Sequence, residues 1–344
     1  MKALVLEEKK RLSLRDFPIT ERVGPYDVKI KIKACGICGS DIHYFVEGRI
    51  GDFIVKEPLI MGHEAAGIVI ETGEQVKNLE KGDMVCMEPG VPNLHSRETL
   101  EGIYNIDPAV SFWATPPVHG CLRETVVHPA QFCFKLPERM SAAEGALIEP
   151  LAIGIEAAKK AALKPGDTAL IIGTGTIGVM CAISALAGGC SRVFITDVKQ
   201  EKLDLIGAYD TAIIPVNTDK TALLPFIMQK TDNKGVNVVF EASGNPRVYP
   251  DFFRAVKNGG KAVLVGMMNG TVPLDVALLQ GRGISIETIF RYTNCFERAI
   301  ALVNAGRIDI KRFISKTFSF EDSLAAYEYA AAGRADVIKV MIEL

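Results

Sequence analysis

The first 136 residues carry short apolar runs separated by frequent glycine and proline turns. Residues 28–33 alternate strictly between apolar side chains and lysines, a period of two that is typical of a strand with one buried face. Further short apolar runs cover residues 3–6, 67–71, 84–87 and 125–127. The pattern predicts a β-rich first region.

At Ser141 the pattern changes to an alanine-rich helix over residues 141–163, which ends at Lys164-Pro165-Gly166. After it, predicted helices alternate with predicted strands over residues 168–172, 192–197, 212–216, 237–241, 261–265 and 284–289. Six strands in β–α alternation predict a doubly wound parallel sheet. From Asn294 the chain returns to helix and short strands, and it ends in an apolar run, residues 337–342, that we expect to pack on the first domain.

Composition narrows the class of protein. A chain of 344 residues is expected to form two domains. The net charge of −2, without a basic stripe or charged tail, argues against a nucleic-acid partner. No apolar run approaches the roughly 18 residues of a membrane helix. The first residues place apolar before charged positions, unlike a secretory signal, so we expect a cytoplasmic protein whose eight cysteines are reduced.

A dinucleotide-binding loop follows the strand predicted over residues 168–172. Its sequence is GTGTIG, residues 173–178, in which Gly173 allows a tight turn, Gly175 lets the backbone approach a pyrophosphate, and Gly178 lets helix and strand pack closely. The next strand ends at Asp197, about 20 residues later, where a carboxylate can accept both hydroxyls of the adenosine ribose. Its charge would repel the 2′-phosphate of NADP, so NAD is the expected cofactor, although nearby Lys199 and Lys202 would soften that repulsion.

Cys35 and Cys38, three residues apart at the end of a predicted strand, are open to three interpretations. A thioredoxin-type redox pair would need a different fold around it. A closed structural zinc site would need four clustered ligands, and the chain has no second CxxC. An open catalytic site needs about three ligands, which His63-Glu64 can complete with one cysteine. Spacing alone does not establish His63 as a ligand.

The segments CGSD (residues 38–41) and GHE (62–64), followed by the glycine loop, resemble the zinc-dependent medium-chain dehydrogenase/reductases in order and spacing. EPG (88–90), ATPP (114–117), LIEP (147–150) and IFRY (289–292) resemble the sorbitol/xylitol dehydrogenase branch. The resemblance implies a GroES-like β-rich catalytic domain, residues 1–151 and 292–344, and a Rossmann domain with a doubly wound parallel sheet, residues 152–291. The fold class is therefore α/β.

The same resemblance implies one catalytic zinc ion per subunit on Cys38, His63 and Glu64, with Glu149 as the alternative carboxylate ligand. Many family members hold a structural zinc with four cysteines after the EPG turn. This chain has no cysteine between Cys86 and Cys121, so we expect no structural zinc.

The implied activity is oxidation of a sorbitol- or xylitol-like polyol to the ketose, with hydride transfer to NAD. Ser40 and His43 would conduct the released proton, and Glu149 would serve both catalysis and substrate binding. The remaining implied contacts are Tyr44, Arg291 and Tyr292 with the substrate, and Ile177, Lys202, Val265, Met267 and Phe290 with NAD. The resemblance also suggests a homotetramer or homodimer.

Two alternatives remain at this point. One is a zinc-dependent secondary-alcohol, threonine or aldose dehydrogenase with the same metal site and another pocket. The other is a non-catalytic protein that binds a dinucleotide, which the intact residues Cys38, His63, Glu64 and Ser40 disfavour.

Overall fold

The computed structural model describes residues 1–268 and 270–344. The chain divides into two compact units, Met1–Glu149 with Phe296–Leu344, and Pro150–Cys295. The unit boundaries at 149/150 and 295/296 lie two residues before and four residues after the 151/152 and 291/292 boundaries expected from sequence. The two ends of the chain thus belong to one unit.

The first unit is built around the strand Asp27–Ile37, whose apolar positions are buried. This strand pairs antiparallel with Glu64–Thr72, Thr125–Pro129 and Lys339–Glu343. The strands of this main sheet lie in the order Cys133–Lys135, Met84–Met87, Glu64–Thr72, Asp27–Ile37, Lys339–Glu343 and Ile314–Ser319. The core on this sheet includes Ile30, Ile32 and Val69. The last strand of the chain therefore lies beside the strand that precedes Cys38.

The remaining strands of the first unit are short or lie at its edge: Lys2–Glu8, Arg11–Asp16, Arg49–Ile50, Phe53–Ile54, Leu59–Ile60, Gly90–Val91 and Ser111–Phe112. Its α-helices are Gly39–Glu47, Arg97–Leu100, Ala142–Ala146, Phe296–Asn304 and Ser323–Ala331. Single 3₁₀ turns occur at Tyr104–Ile106, Ala130–Phe132, Lys311–Phe313 and Phe320–Asp322.

The second unit contains the predicted doubly wound sheet, which confirms the α/β class. All neighbouring strands are parallel. Their order is Ile213–Asn217, Arg192–Asp197, Thr168–Ile172, Val236–Glu241, Val256–Leu264 and Ser285–Thr288. The order reverses direction beside Thr168–Ile172, which is the place where such sheets bind ligands at the carboxyl ends of their strands.

The helices of this unit are Ile148–Ala161, which begins in the first unit, Thr176–Ala187, Gln200–Gly207, Leu223–Lys230, Tyr249–Phe252 and Val276–Arg282. Two 3₁₀ turns, Pro246–Val248 and Phe253–Ala255, flank Tyr249–Phe252. Among the described residues, no helix is both long and apolar enough to span a membrane.

Two element predictions were wrong in detail. The single helix expected over residues 141–163 is two helices, Ala142–Ala146 and Ile148–Ala161, and the first begins with a capping box between Ser141 and Glu144. The strand expected over 261–265 begins earlier, at Val256, because Gly259, with φ of 71°, interrupts the apolar pattern without ending the strand.

Candidate metal and cofactor sites

Cys38, His63 and Glu64 lie together in the first unit. One possible ligand atom from each side chain lies within 4.8 Å of those of the other two, and the described residues contain no other such group of three. Cys38 follows the strand Asp27–Ile37, and Glu64 opens the neighbouring strand, where it pairs with Gly36. Antiparallel pairing therefore brings the end of one strand to the start of the next and gathers the three donors.

The chemistry of these donors fits zinc. A thiolate, an imidazole and a carboxylate are its usual ligands, and three protein ligands leave a fourth position for a water or substrate. His63 and Glu64 are buried, whereas Cys38 is partly exposed. Burial lowers the pKa of His63, but the charges of Asp41 and Cys38 more than offset this, so that its pKa lies well above the ordinary value. The pocket thus favours positive charge, which a bound cation would supply.

Asp41 supports two of the three donors, a role that was not predicted from the sequence. Its Oδ2 accepts the backbone N–H of Cys38 at 2.9 Å, and its Oδ1 lies 3.5 Å from Nδ1 of His63. Both side chains are buried. A carboxylate behind a histidine ligand orients the ring and leaves the other nitrogen for the metal. The position of Asp41 three residues after Cys38, at the start of a helix, was the available signal.

Lys339 binds Glu64 and was also missed. Its Nζ donates to Oε1 and Oε2 of Glu64 at 2.8 and 2.7 Å and to the carbonyl oxygen of Ile37 at 3.0 Å. The lysine and glutamate side chains are 1 % and 0 % exposed. Burial lowers the pKa of Lys339. The negative charges around it, with that of Glu64 the largest, raise the pKa by more, so that it lies above the ordinary value. Lys339 is therefore protonated and donates to the side chain of Glu64.

Sheet register explains why these two side chains meet. Gly36 pairs with Glu64 on one side and with Met341 on the other. Lys339 precedes Met341 by two residues and so lies on the same face of the sheet. A Cβ atom at Gly36 would collide with Oε2 of Glu64. The missing side chain of Gly36 thus makes room for the ion pair.

Glu149 lies in the first turn of the helix Ile148–Ala161 and is buried, but it is not in the group of three donors. It lies near Glu88, whose pKa is raised to about 8. Burial is the main cause, the charge of Glu149 adds to it, and a hydrogen bond with Tyr104 acts in the opposite direction. Of the two carboxylates proposed as zinc ligands, the structure places Glu64 with Cys38 and His63.

The helix Gly39–Glu47 carries three more predicted site residues. Ser40 is in its first turn and partly exposed, His43 is exposed, and Tyr44 is 4 % exposed. All three follow Cys38 within two turns of helix. A short segment therefore presents the candidate proton-conducting groups and one candidate substrate contact.

The glycine loop has the geometry that the sequence predicts. Gly173 has φ of +98°, a conformation that side chains disfavour. A Cβ atom at Gly175 would meet open space, as a backbone that approaches a phosphate requires, whereas at Gly178 it would collide with the carbonyl oxygen of Gly173. The helix Thr176–Ala187 begins directly after Gly175 and directs its N-terminus at this loop.

Asp197 ends the strand beside this loop. Its Oδ2 accepts the backbone N–H of Thr174 at 2.9 Å, and its Oδ1 accepts those of Val198 and Lys199 at 2.8 and 3.0 Å. The carboxylate is thereby fixed beside the loop. The other predicted NAD contacts range from buried to exposed: Val265 is buried, Ile177 and Lys202 are half-buried, and Met267 and Phe290 are exposed.

The predicted substrate residues Arg291 and Tyr292 follow the last strand of the second unit. Arg291 has φ of +59°, and its guanidinium carbon lies 4.7 Å from the ring centroid of Phe290. Tyr292 is 2 % exposed.

Known proteins match this chain over nearly its whole length. Residues 24–138 match the alcohol dehydrogenase GroES-like domain, and residues 176–305 match the zinc-binding dehydrogenase domain. A D-xylulose reductase of Morganella morganii is 49 % identical over 96 % of this chain and 98 % of its own. A sorbitol dehydrogenase of Arabidopsis thaliana is 38 % identical, with 94 % and 90 % covered. A crystal structure from Escherichia coli, an oxidoreductase/dehydrogenase of unknown specificity, has a TM-score of 0.95 and 32 % identity, with 99 % and 98 % covered.

Proposed function

Because the chain belongs to the zinc-dependent medium-chain dehydrogenase/reductase family, we propose that it oxidises a secondary hydroxyl of a sugar alcohol to a ketone, with NAD⁺ as hydride acceptor. The observation that carries this proposal is the cluster of Cys38, His63 and Glu64, whose donor atoms lie within 4.8 Å of one another. Zinc bound there would act as a Lewis acid and lower the pKa of an alcohol ligand.

The chain's own residues account for the other requirements of the reaction. Ser40 relays the hydroxyl proton by accepting it while it releases its own, and His43, exposed on the same helix, passes the released proton to solvent. Asp41 and Lys339 hold His63 and Glu64 in place. Asp197 selects NAD, because its carboxylate accepts ribose hydroxyls and repels a 2′-phosphate.

A polyol needs polar groups beyond the metal because it carries several hydroxyls. Tyr44, Glu149, Arg291 and Tyr292 supply donors and acceptors for them. The relative named D-xylulose reductase favours a pentitol, since reduction of the ketone of D-xylulose gives xylitol or arabinitol. The cytoplasm as location and a homodimer or homotetramer as assembly belong to the same proposal. Among the described strands, Ser285–Thr288 lies at an edge of its sheet, where a second copy can pair with it.

The test is oxidation of xylitol, sorbitol, galactitol, arabinitol and 2,3-butanediol with NAD and NADP, together with metal analysis. We expect one zinc ion per subunit and the largest kcat/KM with a pentitol and NAD. The Cys38→Ala variant should lose zinc and turnover and still bind NADH, whereas Cys190→Ala, a buried cysteine of the second unit, should keep all three.

Two outcomes would contradict the proposal. Normal turnover by Cys38→Ala would reject the metal site. A wild-type protein that binds NADH but holds no zinc and oxidises no polyol would support the non-catalytic alternative.

A further inference from the structure

Residues 291–295 follow an unusual backbone path. Arg291 and Asn294 have φ values of +59° and +53°, in the left-handed region; asparagine adopts this region readily, but arginine rarely does. Such conformations persist where the surrounding structure fixes them. The two residues lie on either side of Thr293, so contacts to Thr293 are in a position to fix both.

Two side chains of one helix hold Thr293. Glu156, which is 3 % exposed, accepts the backbone N–H of Thr293 on Oε2 at 3.2 Å. Lys159 donates from Nζ to the carbonyl oxygen of Thr293 at 2.9 Å and to its hydroxyl oxygen at 3.0 Å. The backbone donor, the backbone acceptor and the side chain of this residue are therefore all bound.

Glu156 and Lys159 also bind each other, and Glu156 contacts a further residue of the segment. Glu156 and Lys159 lie one helical turn apart, with Nζ 2.5 Å from Oε2. The Sγ of Cys295 lies 3.3 Å from the same oxygen. Burial raises the pKa of Cys295 to about 12, so the group is a neutral thiol that can donate to the carboxylate. Glu156 thus binds the segment at two points.

We propose that Glu156 and Lys159 are positioning residues that hold Arg291 in the orientation in which it binds substrate hydroxyls, and that they thereby favour polyols over simple alcohols. The inference rests on the proposed function, since it takes Arg291 as a substrate contact. A guanidinium has a rigid planar arrangement of donors, so its hydrogen bonds to neighbouring hydroxyls depend on the direction from which it approaches. That direction is set by the backbone of residues 291–294.

The experiment compares Lys159→Met and Glu156→Gln with the conservative Lys159→Arg and with Lys160→Met, which changes an exposed lysine one residue further on. We expect Lys159→Met and Glu156→Gln to raise the KM for xylitol at least fivefold, with zinc content and the Kd for NADH unchanged. The kcat/KM for 2-butanol, which has no second hydroxyl, should change less than twofold. Lys159→Arg, which keeps the positive charge, should have a KM for xylitol close to that of the wild type. Lys160→Met should behave as wild type.

Hydrogen exchange of the amides of residues 291–295 provides a readout independent of activity, and it should accelerate at least tenfold in Lys159→Met. Faster exchange with an unchanged KM for xylitol would overturn the inference and leave a purely structural clamp. Equal losses for xylitol and 2-butanol would also overturn it.

Arg291→Met separates this inference from the proposed function. If Arg291→Met raises the KM for xylitol and neither Lys159→Met nor Glu156→Gln does, the inference fails and the proposed function stands. If Arg291→Met leaves this KM unchanged, the proposed role of Arg291 as a substrate contact fails, and the inference falls with it.

Discussion

Lys339→Met removes a positive charge from the candidate metal site and leaves its three donor side chains in place. In the wild type, Nζ of Lys339 donates to both carboxylate oxygens of Glu64 and to the carbonyl oxygen of Ile37, all in a buried environment. Methionine has a similar length and no charge. In the metal-free variant, the carboxylate of Glu64 would therefore lack this cation.

The magnitude follows from the burial of both partners. Removing one partner of a buried ion pair costs about 3–5 kcal/mol, because the remaining charge is left uncompensated. We expect the free energy of unfolding of the metal-free protein to fall by about this amount. Bound zinc offers Glu64 another cation, so the loss should be smaller in the zinc-loaded protein. The double variant Lys339→Met/Glu64→Gln should lose less than the sum of the single variants, by about 2–3 kcal/mol, as expected for residues in direct contact.

Urea unfolding followed by tryptophan fluorescence measures this loss where it occurs. Trp113 is the only tryptophan in the chain, belongs to the first unit and is 6 % exposed. Lys31→Met, which changes an exposed lysine on the adjacent strand, serves as the control and should stay within about 0.5 kcal/mol of wild type. A loss below about 1 kcal/mol in metal-free Lys339→Met, or additive losses in the double variant, would refute this account of the ion pair.

Three further predictions concern other parts of the chain. Asp197→Ala should lower the ratio of kcat/KM for NAD to that for NADP by about tenfold, or about 1.4 kcal/mol, and an unchanged ratio would reject Asp197 as the selector. Asp107 accepts the backbone N–H groups of Asn93 and Ala109 at 2.6 and 2.9 Å and so holds the segment 93–110 in place. Asp107→Ala should therefore speed tryptic cleavage within this segment, and an unchanged rate would argue against this structural role. Burial raises the pKa of Glu88 from 4.5 to about 8, so between these pH values the folded state holds a proton that the unfolded state releases. The stability that this proton contributes is therefore lost as the pH rises from 4.5 to about 8. The free energy of unfolding of the metal-free protein, measured by Trp113 fluorescence between pH 6.5 and 8, should fall less steeply with pH in Glu88→Gln than in wild type. Equal slopes of this free energy against pH would contradict the prediction. The pKa of His128 is lowered to about 4, so His128 affects stability only below this pH range.

The glycine loop was predictable because its determinants are local. Gly173, Gly178 and Asp197 lie within 25 residues of one another, and each role follows from a strand, a turn and a helix in immediate succession. The structure shows the positive φ at Gly173, the close packing at Gly178 and the fixed carboxylate of Asp197 that these roles require.

The element limits were less predictable, because glycine and proline have more than one structural meaning. The strand was expected to begin at residue 261, yet Gly259 and Gly260 lie inside the strand Val256–Leu264. Pro150 lies in the first turn of the helix Ile148–Ala161, where proline is tolerated, and so does not end it. Only the pairing of the strand with its neighbours, or the packing of the helix, decides between these meanings.

The supporting residues of the candidate metal site were missed because they depend on pairing between distant segments. Lys339 lies 275 residues from Glu64, and no local pattern gives the register between the last strand and the strand Asp27–Ile37. A signal was nevertheless present, since Lys339 interrupts an otherwise apolar run at residues 337–342. A lysine buried in such a strand is costly unless an opposite charge lies beside it. A lysine buried at this position therefore needs a buried anion beside it, and the glycine at position 36 marks the place on the sheet where the carboxylate of Glu64 has room to reach it.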